Sequence, residues 1–97
     1  MTGGVADTAE AKVVVRNKHG LHARPASVLA ETALRFQGTD VAIEKGTLVV
    51  DAKSIMELLL LEATCGTPLT VRGRGPQAAE AVRTLEGLFE REFDLKL

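Results

Sequence analysis

The sequence feature that most constrains the fold is an apolar stripe near the C-terminal end of the chain. Small and aliphatic residues recur there every three or four positions, the spacing that puts side chains on one face of an α-helix. The members of the stripe are Ala78, Ala81, Val82, Leu85, Leu88 and Phe89. We predict a helix from about Pro76 to Phe93. Its single apolar face must be buried against another element.

The rest of the chain supplies strands and two further helices. Apolar residues at helical spacing predict helices over residues 23–37 and 54–64. Four short segments have the β-branched or alternating residues typical of strands, and these are residues 12–16, 39–45, 47–52 and 68–73. The element order is therefore βαββαβα. In a chain of 97 residues this order predicts an α+β fold with one sheet and the helices on one face.

Composition excludes several classes of protein. Residues 1–10 are small and polar, so we predict a loose tail there and a single domain over residues 11–97. The net charge of −1 provides no basic field for nucleic acid. The single cysteine, Cys65, excludes an internal disulfide and suits a reducing compartment. The longest apolar run, residues 58–61, is far shorter than the roughly 20 residues that span a membrane. We expect a cytoplasmic protein without membrane insertion.

The stretch with the clearest chemistry is residues 20–26, Gly-Leu-His-Ala-Arg-Pro-Ala, at the predicted start of a helix. His22 falls at about the N-cap, where backbone N–H groups lack partners and the helix dipole is positive. Such a position binds anions, phosphate above all. An imidazole is a nucleophile that is largely neutral at physiological pH, and the guanidinium of Arg24 suits phosphate oxygens. We infer a histidine that can carry a phosphoryl group covalently.

The same stretch resembles the active-site signature of HPr, the histidine-containing phosphocarrier of the bacterial sugar phosphotransferase system. Residues 53–56, Lys-Ser-Ile-Met, are similar to the second signature of that family, the region of a regulatory serine. The order of elements also fits from about residue 12 to residue 93. The resemblance implies an open-faced β-sandwich, in which a four-stranded antiparallel sheet carries three helices on one face and leaves the other to solvent.

The resemblance also implies a mechanism. Nδ1 of His22 would take the phosphoryl group of phosphorylated enzyme I, derived from phosphoenolpyruvate, and pass it to a histidine of an enzyme IIA domain. Arg24 and the N–H groups of Ala23 and Arg24 would spread the phosphoryl charge. Neither a cofactor nor a metal is needed. The chain would be a carrier without turnover of its own, and we expect a monomer because one face must meet two partners in turn.

Ser54 has two interpretations. In the HPr family the matching serine is the target of an ATP-dependent kinase in some bacteria, and a phosphate there would hinder docking. However, residues 54–57, Ser-Ile-Met-Glu, also fit a capping box, in which the serine and glutamate satisfy each other's backbone donors. The kinase-regulated pattern usually has glycine where Glu57 stands, and a glutamate would repel a phosphoserine. We favour the helix cap.

The docking surface for partners should be apolar and close to His22. Leu58 and Leu61 are expected to be core residues, although the second predicted helix is apolar nearly all round. That helix therefore either buries two faces or exposes a binding surface. The candidate docking residues are Leu21, Ile55, Met56 and Leu59.

Some alternatives stay open at this point. His19 and His22 could share a metal only with a third ligand, and none is near, so we expect no metal site. His19 could instead hydrogen-bond the phosphoryl group or face solvent. Residues 54–62 and 75–78 look more like the nitrogen-related paralogue, NPr, than the sugar-transport protein. The alternative function is a regulator that binds partners through the same surface without carrying phosphate, but related proteins of that kind usually lack the histidine.

Overall fold

Four strands and three helices alternate along the chain in the predicted order. A computed structural model describes residues 7–95. The strands are β1 (Thr8–Val14), β2 (Asp40–Lys45), β3 (Leu48–Asp51) and β4 (Pro68–Arg74). The helices are α1 (Ala23–Ala33), α2 (Ile55–Leu60) and α3 (Ala78–Glu90), and a short 3-10 turn follows at Glu92–Asp94.

The four strands form one antiparallel sheet in the order β1-β4-β2-β3. The last strand of the chain, β4, lies between β1 and β2, so it joins the two halves of the sequence. Buried residues pair across it, with Val13 opposite Leu69 and Ile43 opposite Val71. All three helices lie on one face of the sheet, which confirms the α+β open-faced β-sandwich.

The core lies between the sheet and the helices. All six residues of the predicted C-terminal stripe are buried, so the stripe faces the sheet as its spacing indicates. Each large aliphatic or aromatic side chain removed from water contributes about 1.5–3 kcal/mol of stability. No helix within residues 7–95 has both the length and the apolar composition needed to cross a membrane.

The opposite face of the sheet carries charged side chains at its centre. Arg72 lies between Glu10 and Glu44 on the neighbouring strands and forms an ion pair with each. The hydrogen bond to Glu44 and the negative charge of Glu10 raise the pKa of Arg72. These charged side chains keep this face in contact with solvent, as an open-faced sandwich requires.

The first strand begins earlier than predicted. Thr8 pairs with Arg74 at the far end of β4, so residues 8–10 belong to the sheet and not to a tail. The run of β-branched valines at residues 13–15 indicated only the second half of β1, because the first half is held by its pairing with β4. The remainder of the predicted tail, residues 1–6, lies outside the described residues.

The helices are also shorter than predicted. The first helix ends at Ala33 instead of residue 37, because the following turn closes with a tighter bond from Arg35 N–H to the carbonyl of Thr32. The second helix ends at Leu60 instead of residue 64, since Glu62 adopts a left-handed backbone with φ of 48°. The third helix occupies 78–90 of the predicted 76–93.

Candidate functional site

The N-terminus of α1 is open to an anion. His22 is its N-cap residue, with an extended backbone (φ −85°, ψ −168°) and no capping bond from its side chain. The first backbone donor with a helical acceptor is Ala26, whose N–H reaches the carbonyl of His22 at 3.0 Å, because Pro25 has no N–H. Within residues 7–95, the N–H groups of Ala23 and Arg24 therefore have no acceptor. The first turn contains no acidic residue to oppose a bound anion.

The imidazole of His22 is half-buried at this N-terminus. Its Nε2 atom is buried and has no hydrogen-bond partner among the described residues. The ring of His19, exposed in the preceding loop, lies beside it, with centroids 6.2 Å apart and planes inclined at 75°. The two rings form an edge-on pair and make no hydrogen bond with each other.

Arg24 lies two residues into the helix and is exposed. Among the described residues it makes neither an ion pair nor a side-chain hydrogen bond, so its guanidinium remains available to a ligand. The structure thus brings together the three residues that the sequence predicts for phosphate binding: His22, Ala23 and Arg24.

The loop before the site is held by close packing against the segment that follows α2. Gly20 has φ of +73°, and its N–H donates to the carbonyl of Asn17 at 2.9 Å. The N–H of Leu21 donates to the carbonyl of Ala63 at 2.8 Å. A Cβ atom at Gly20 would lie 2.5 Å from that same carbonyl oxygen. Only glycine lets the loop approach this closely, which is the physical reason for the first residue of the motif.

Asn17 is a site-supporting residue that sequence reasoning missed. It is buried, and its Nδ2 donates to the carbonyl of Glu92 at 3.0 Å. Glu92, Phe93 and Asp94 all have a left-handed backbone, with φ of 53°, 60° and 58°. Phe93 is buried against Phe89, with ring centroids 5.0 Å apart, which holds this turn in place. The C-terminal turn therefore braces the start of the loop that precedes His22.

One side of α2 presents apolar side chains to solvent. The exposed fractions are 39% for Ile55, 78% for Met56, 38% for Leu59 and 63% for Leu60. We call these four residues the α2 apolar surface. Ile55, Met56 and Leu59 were candidate docking residues, whereas Leu60 was missed although its place in the leucine run, between two core positions, could have indicated it.

Two predictions about the leucines have opposite outcomes. Leu58 and Leu61 are buried, which confirms their assignment to the core. Leu21 is only 5% exposed, so its choice as a docking residue is wrong. Its backbone is tied to Ala63, and that bond turns the side chain inward under the loop instead of toward a partner.

Ser54 caps α2. Its Oγ accepts the N–H of Glu57 at 3.2 Å, which confirms the predicted cap. The predicted reciprocal bond, from the N–H of Ser54 to the carboxylate of Glu57, is wrong. That carboxylate accepts the N–H of Asp51 at 3.0 Å. The N–H of Ser54 donates instead to the carbonyl of Asp51 at 3.1 Å.

Comparison with known proteins identifies the family of the chain. The family model described as "PTS HPr component phosphorylation site" matches residues 9–91, nearly the whole of the described chain. The chain belongs to the HPr family. The function that follows from this membership is that of a phosphocarrier in the phosphotransferase system.

The match extends over nearly the full length of individual relatives. The phosphocarrier protein HPr of Xylella fastidiosa is 41% identical over 85 residues, which are 88% of this chain and 94% of that protein. The phosphocarrier protein NPr of Klebsiella oxytoca is 32% identical over 87 residues, 90% of this chain and 97% of that protein. The crystal structure of HPr from Thermoanaerobacter tengcongensis superimposes with a TM-score of 0.85 at 35% identity and covers 92% of this chain and 99% of that one.

Proposed function

We propose that Nδ1 of His22 carries the phosphoryl group of this phosphocarrier. The observation that carries the proposal is the position of His22 at an N-terminus whose first backbone donors have no acceptor among the described residues. Nε2 is buried, so a phosphoryl donor cannot reach it, and Nδ1 is the nitrogen left for the reaction. Two N–H groups beside the ring are then in place for the phosphoryl oxygens.

The transfer is a nucleophilic displacement at phosphorus. The lone pair of Nδ1 forms a bond to phosphorus while the bond between phosphorus and the donor histidine of enzyme I breaks, and that electron pair returns to the donor ring. The proton of the neutral His22 ring stays on Nε2. Delivery to a histidine of an enzyme IIA domain reverses these roles, with His22 as the leaving group. The chain is therefore a stoichiometric intermediate, and we expect it to act as a monomer in the cytoplasm.

We assign the stabilisation of the phosphoryl group's negative charge to Arg24 and to the two N–H groups at the start of α1. A guanidinium binds two phosphate oxygens through its fork of donors, and the positive end of the helix adds to this attraction. Arg24 is exposed, so solvent screens its charge and the group is held without being trapped. A carrier needs this balance, because it must release the group it accepts.

We place partner docking on the α2 apolar surface. These four side chains are exposed, and α2 packs against α1, whose N-terminus holds the site. Exposed apolar side chains grouped on one element are typical of protein-binding surfaces. The flexible Met56, the most exposed of the four, suits a surface that meets enzyme I and enzyme IIA in turn.

We assign Ser54 to helix capping and not to regulation by a serine kinase. Its Oγ is engaged by the N–H of Glu57. A phosphoserine at this position would stand beside the carboxylate of Glu57, and the two negative charges would repel each other. A kinase would therefore have to break the cap and work against this repulsion.

The test is to incubate the protein with phosphoenolpyruvate and purified enzyme I, and to measure intact mass. We expect an acid-labile gain of one phosphate, which is absent in His22→Ala and present in Ser54→Ala. Running the reaction with a sugar-type and a nitrogen-type enzyme I assigns the branch of the relay. A folded sample that gains no phosphate with either donor would contradict the carrier role and favour a regulator that binds partners through the same surface.

A further inference from the structure

The two edges of the sheet differ in how their backbone groups are used. The short edge strand, β3, is closed by the start of α2, because the N–H of Asp51 donates to the carboxylate of Glu57 and its carbonyl accepts the N–H of Ser54. The strand at the other edge, β1, is seven residues long. Unpaired backbone groups along such an edge are a template for a further strand.

The hydrogen bonds at the two ends of β1 show which of its residues face outward. The carbonyl of Asp7 accepts the N–H of Gly75, and the N–H of Val15 donates to the carbonyl of Thr67. Because backbone groups alternate in direction along an antiparallel strand, the odd-numbered residues of β1 face β4 and the even-numbered ones face away from the sheet. The outward-facing residues are Thr8, Glu10, Lys12 and Val14. All four are exposed, and within residues 7–95 their backbone groups have no partner beyond β4.

The charges on β1 select a single register for a second copy of the same strand. With Ala11 on a two-fold axis between antiparallel copies, Glu10 lies opposite Lys12 of the second copy, and Thr8 lies opposite its Val14. Every outward donor then meets an outward acceptor. A shift by two residues sets Glu10 against Glu10 or Lys12 against Lys12, and like charges directly opposite are destabilising. A shift by one residue sets outward groups against residues that already face β4. The strand is therefore complementary to itself in one register.

We propose that β1 is a self-association edge, on which a second copy of the chain pairs in this register to form a weak, reversible dimer. The contact joins two four-stranded sheets into one of eight strands, and each β1 stays paired with its own β4. A patch that is complementary to itself is what a two-fold dimer requires. The new ion pairs extend those already present, since Glu10 pairs with Arg72 and Arg72 with Glu44. The monomer expected to act as carrier persists at low concentration, and the inference does not depend on the role of His22.

The helix beneath this edge is compatible with the pairing. Because α3 packs against both β1 and β4, the two-fold axis sets the two α3 helices about two strand spacings apart. That separation is about 10 Å, the usual distance between packed helices. Ala11, Arg83 and Glu86 line the same depression between β1 and α3, and neither charged residue forms an ion pair within residues 7–95. With Ala11 on the axis, the antiparallel helices bring Arg83 of one copy toward Glu86 of the other.

The experiment is analytical ultracentrifugation of the natural protein from micromolar to millimolar concentration at low salt. We expect a dimer that grows with concentration and dissociates promptly on dilution, because no strand has to leave its sheet. Lys12→Glu sets two carboxylates against each other at each cross-strand pair, and Glu10→Lys sets two ammonium groups there. Each variant should weaken dimerisation about tenfold or more. Far-UV circular dichroism checks that both variants are folded.

Mixing the two variants provides the sharpest arm of the experiment. The acidic strand of Lys12→Glu then faces the basic strand of Glu10→Lys, so the mixture should form a dimer although each variant alone does not. Lys18→Glu is the matched control, because it makes the same change at an exposed position outside β1 and should leave dimerisation unchanged. A natural protein that stays monomeric throughout the range would overturn the proposal and leave the edge to a strand of another protein. A dimer that persists in Lys12→Glu would overturn it by assigning association to another surface.

Discussion

The N-termini of α1 and α2 lie on adjacent helices and are built in opposite ways. At α2 the side chain of Ser54 accepts a backbone donor of the first turn, and Glu57 adds a negative charge there. At α1 no side chain caps the helix, no acidic residue lies in the first turn, and the N–H groups of Ala23 and Arg24 have no acceptor among the described residues.

The difference separates a structural helix end from a functional one. A serine cap contributes about 1 kcal/mol of stability, and it occupies the donors that an anion would need. The first turn of α1 forgoes this contribution, and in the proposed function its donors bind a phosphoryl group that arrives and leaves. A helix N-terminus can therefore serve as a phosphate site when no group of the chain accepts hydrogen bonds from its first N–H groups.

The largest expected loss of stability comes from Gly20, which lets the loop before α1 pack closely against Ala63. Gly20→Ala should destabilise the protein by about 3 kcal/mol or more, because it combines a left-handed backbone with a close overlap between Cβ and the carbonyl oxygen of Ala63. Urea unfolding measures the loss. The matched control is Gly38→Ala, where φ is +80° but no atom lies within 4 Å of the added Cβ.

For Gly38→Ala the backbone cost alone applies, and we expect a loss of about 1 kcal/mol. The difference between the two variants isolates the packing of the loop against the segment after α2. Equal losses would mean that the loop does not lie against Ala63 in solution.

Arg24→Gln should slow phosphoryl acceptance about tenfold to hundredfold, a rise in the barrier of about 1.4–2.7 kcal/mol. Its stability should stay within about 0.5 kcal/mol of the natural protein, because the exposed side chain makes no bond within residues 7–95. Rapid-quench measurement of phosphohistidine formation gives the rate. The rate of phosphoryl acceptance in Arg24→Lys should lie between those of the natural protein and Arg24→Gln, since lysine keeps the charge but loses the fork geometry. An unchanged rate in Arg24→Gln would remove Arg24 from the site.

Ser54→Ala and His22→Ala should have complementary effects. Removing the Ser54 hydroxyl should cost about 1 kcal/mol of stability and leave phosphorylation intact. Removing the His22 ring should cost nothing through capping, because that ring makes no capping bond, but should abolish phosphorylation. Thermal unfolding and intact mass on the same samples test both. Loss of phosphorylation in folded Ser54→Ala would show that the end of α2 is also part of the reaction.

The smallest expected effect on stability comes from the negative charge in the first turn of α2. Glu57→Gln keeps an acceptor for the N–H of Asp51 and removes only the negative charge in the first turn of α2, so we expect a loss of about 0.5 kcal/mol that shrinks at high salt. Glu80→Gln, in the first turn of α3, is the matched control and should behave alike. A markedly larger loss at Glu57 would mean that its hydrogen bond depends on the full charge.

The sequence was sufficient to predict the architecture and which residues lie together at the start of α1. Apolar spacing identified all three helices, and the chemistry of a helix start placed His22, Ala23 and Arg24 together. Both signals are local, because a few consecutive residues determine which face a helix buries and which donors its first turn leaves unsatisfied.

The features that could not be predicted depend on contacts between distant segments. The bond from Asn17 to Glu92 joins residues 75 positions apart, and nothing in the local sequence indicates it. The inward orientation of Leu21 follows from its bond to Ala63, and the early start of β1 follows from its pairing with β4. Helix ends were misplaced because left-handed residues such as Glu62 terminate α2 where apolar spacing would continue it.

The most direct test of the central claim is a comparison of amide NMR spectra of the free and phosphorylated protein. If the phosphoryl group lies at the N-terminus of α1, the amide signals of Ala23 and Arg24 should move most. The amide of Glu57, already bonded to Ser54, should hardly move. Phosphorus–nitrogen coupling should assign the phosphate to Nδ1 of His22. Unmoved signals at Ala23 and Arg24, or coupling to Nε2, would contradict the account.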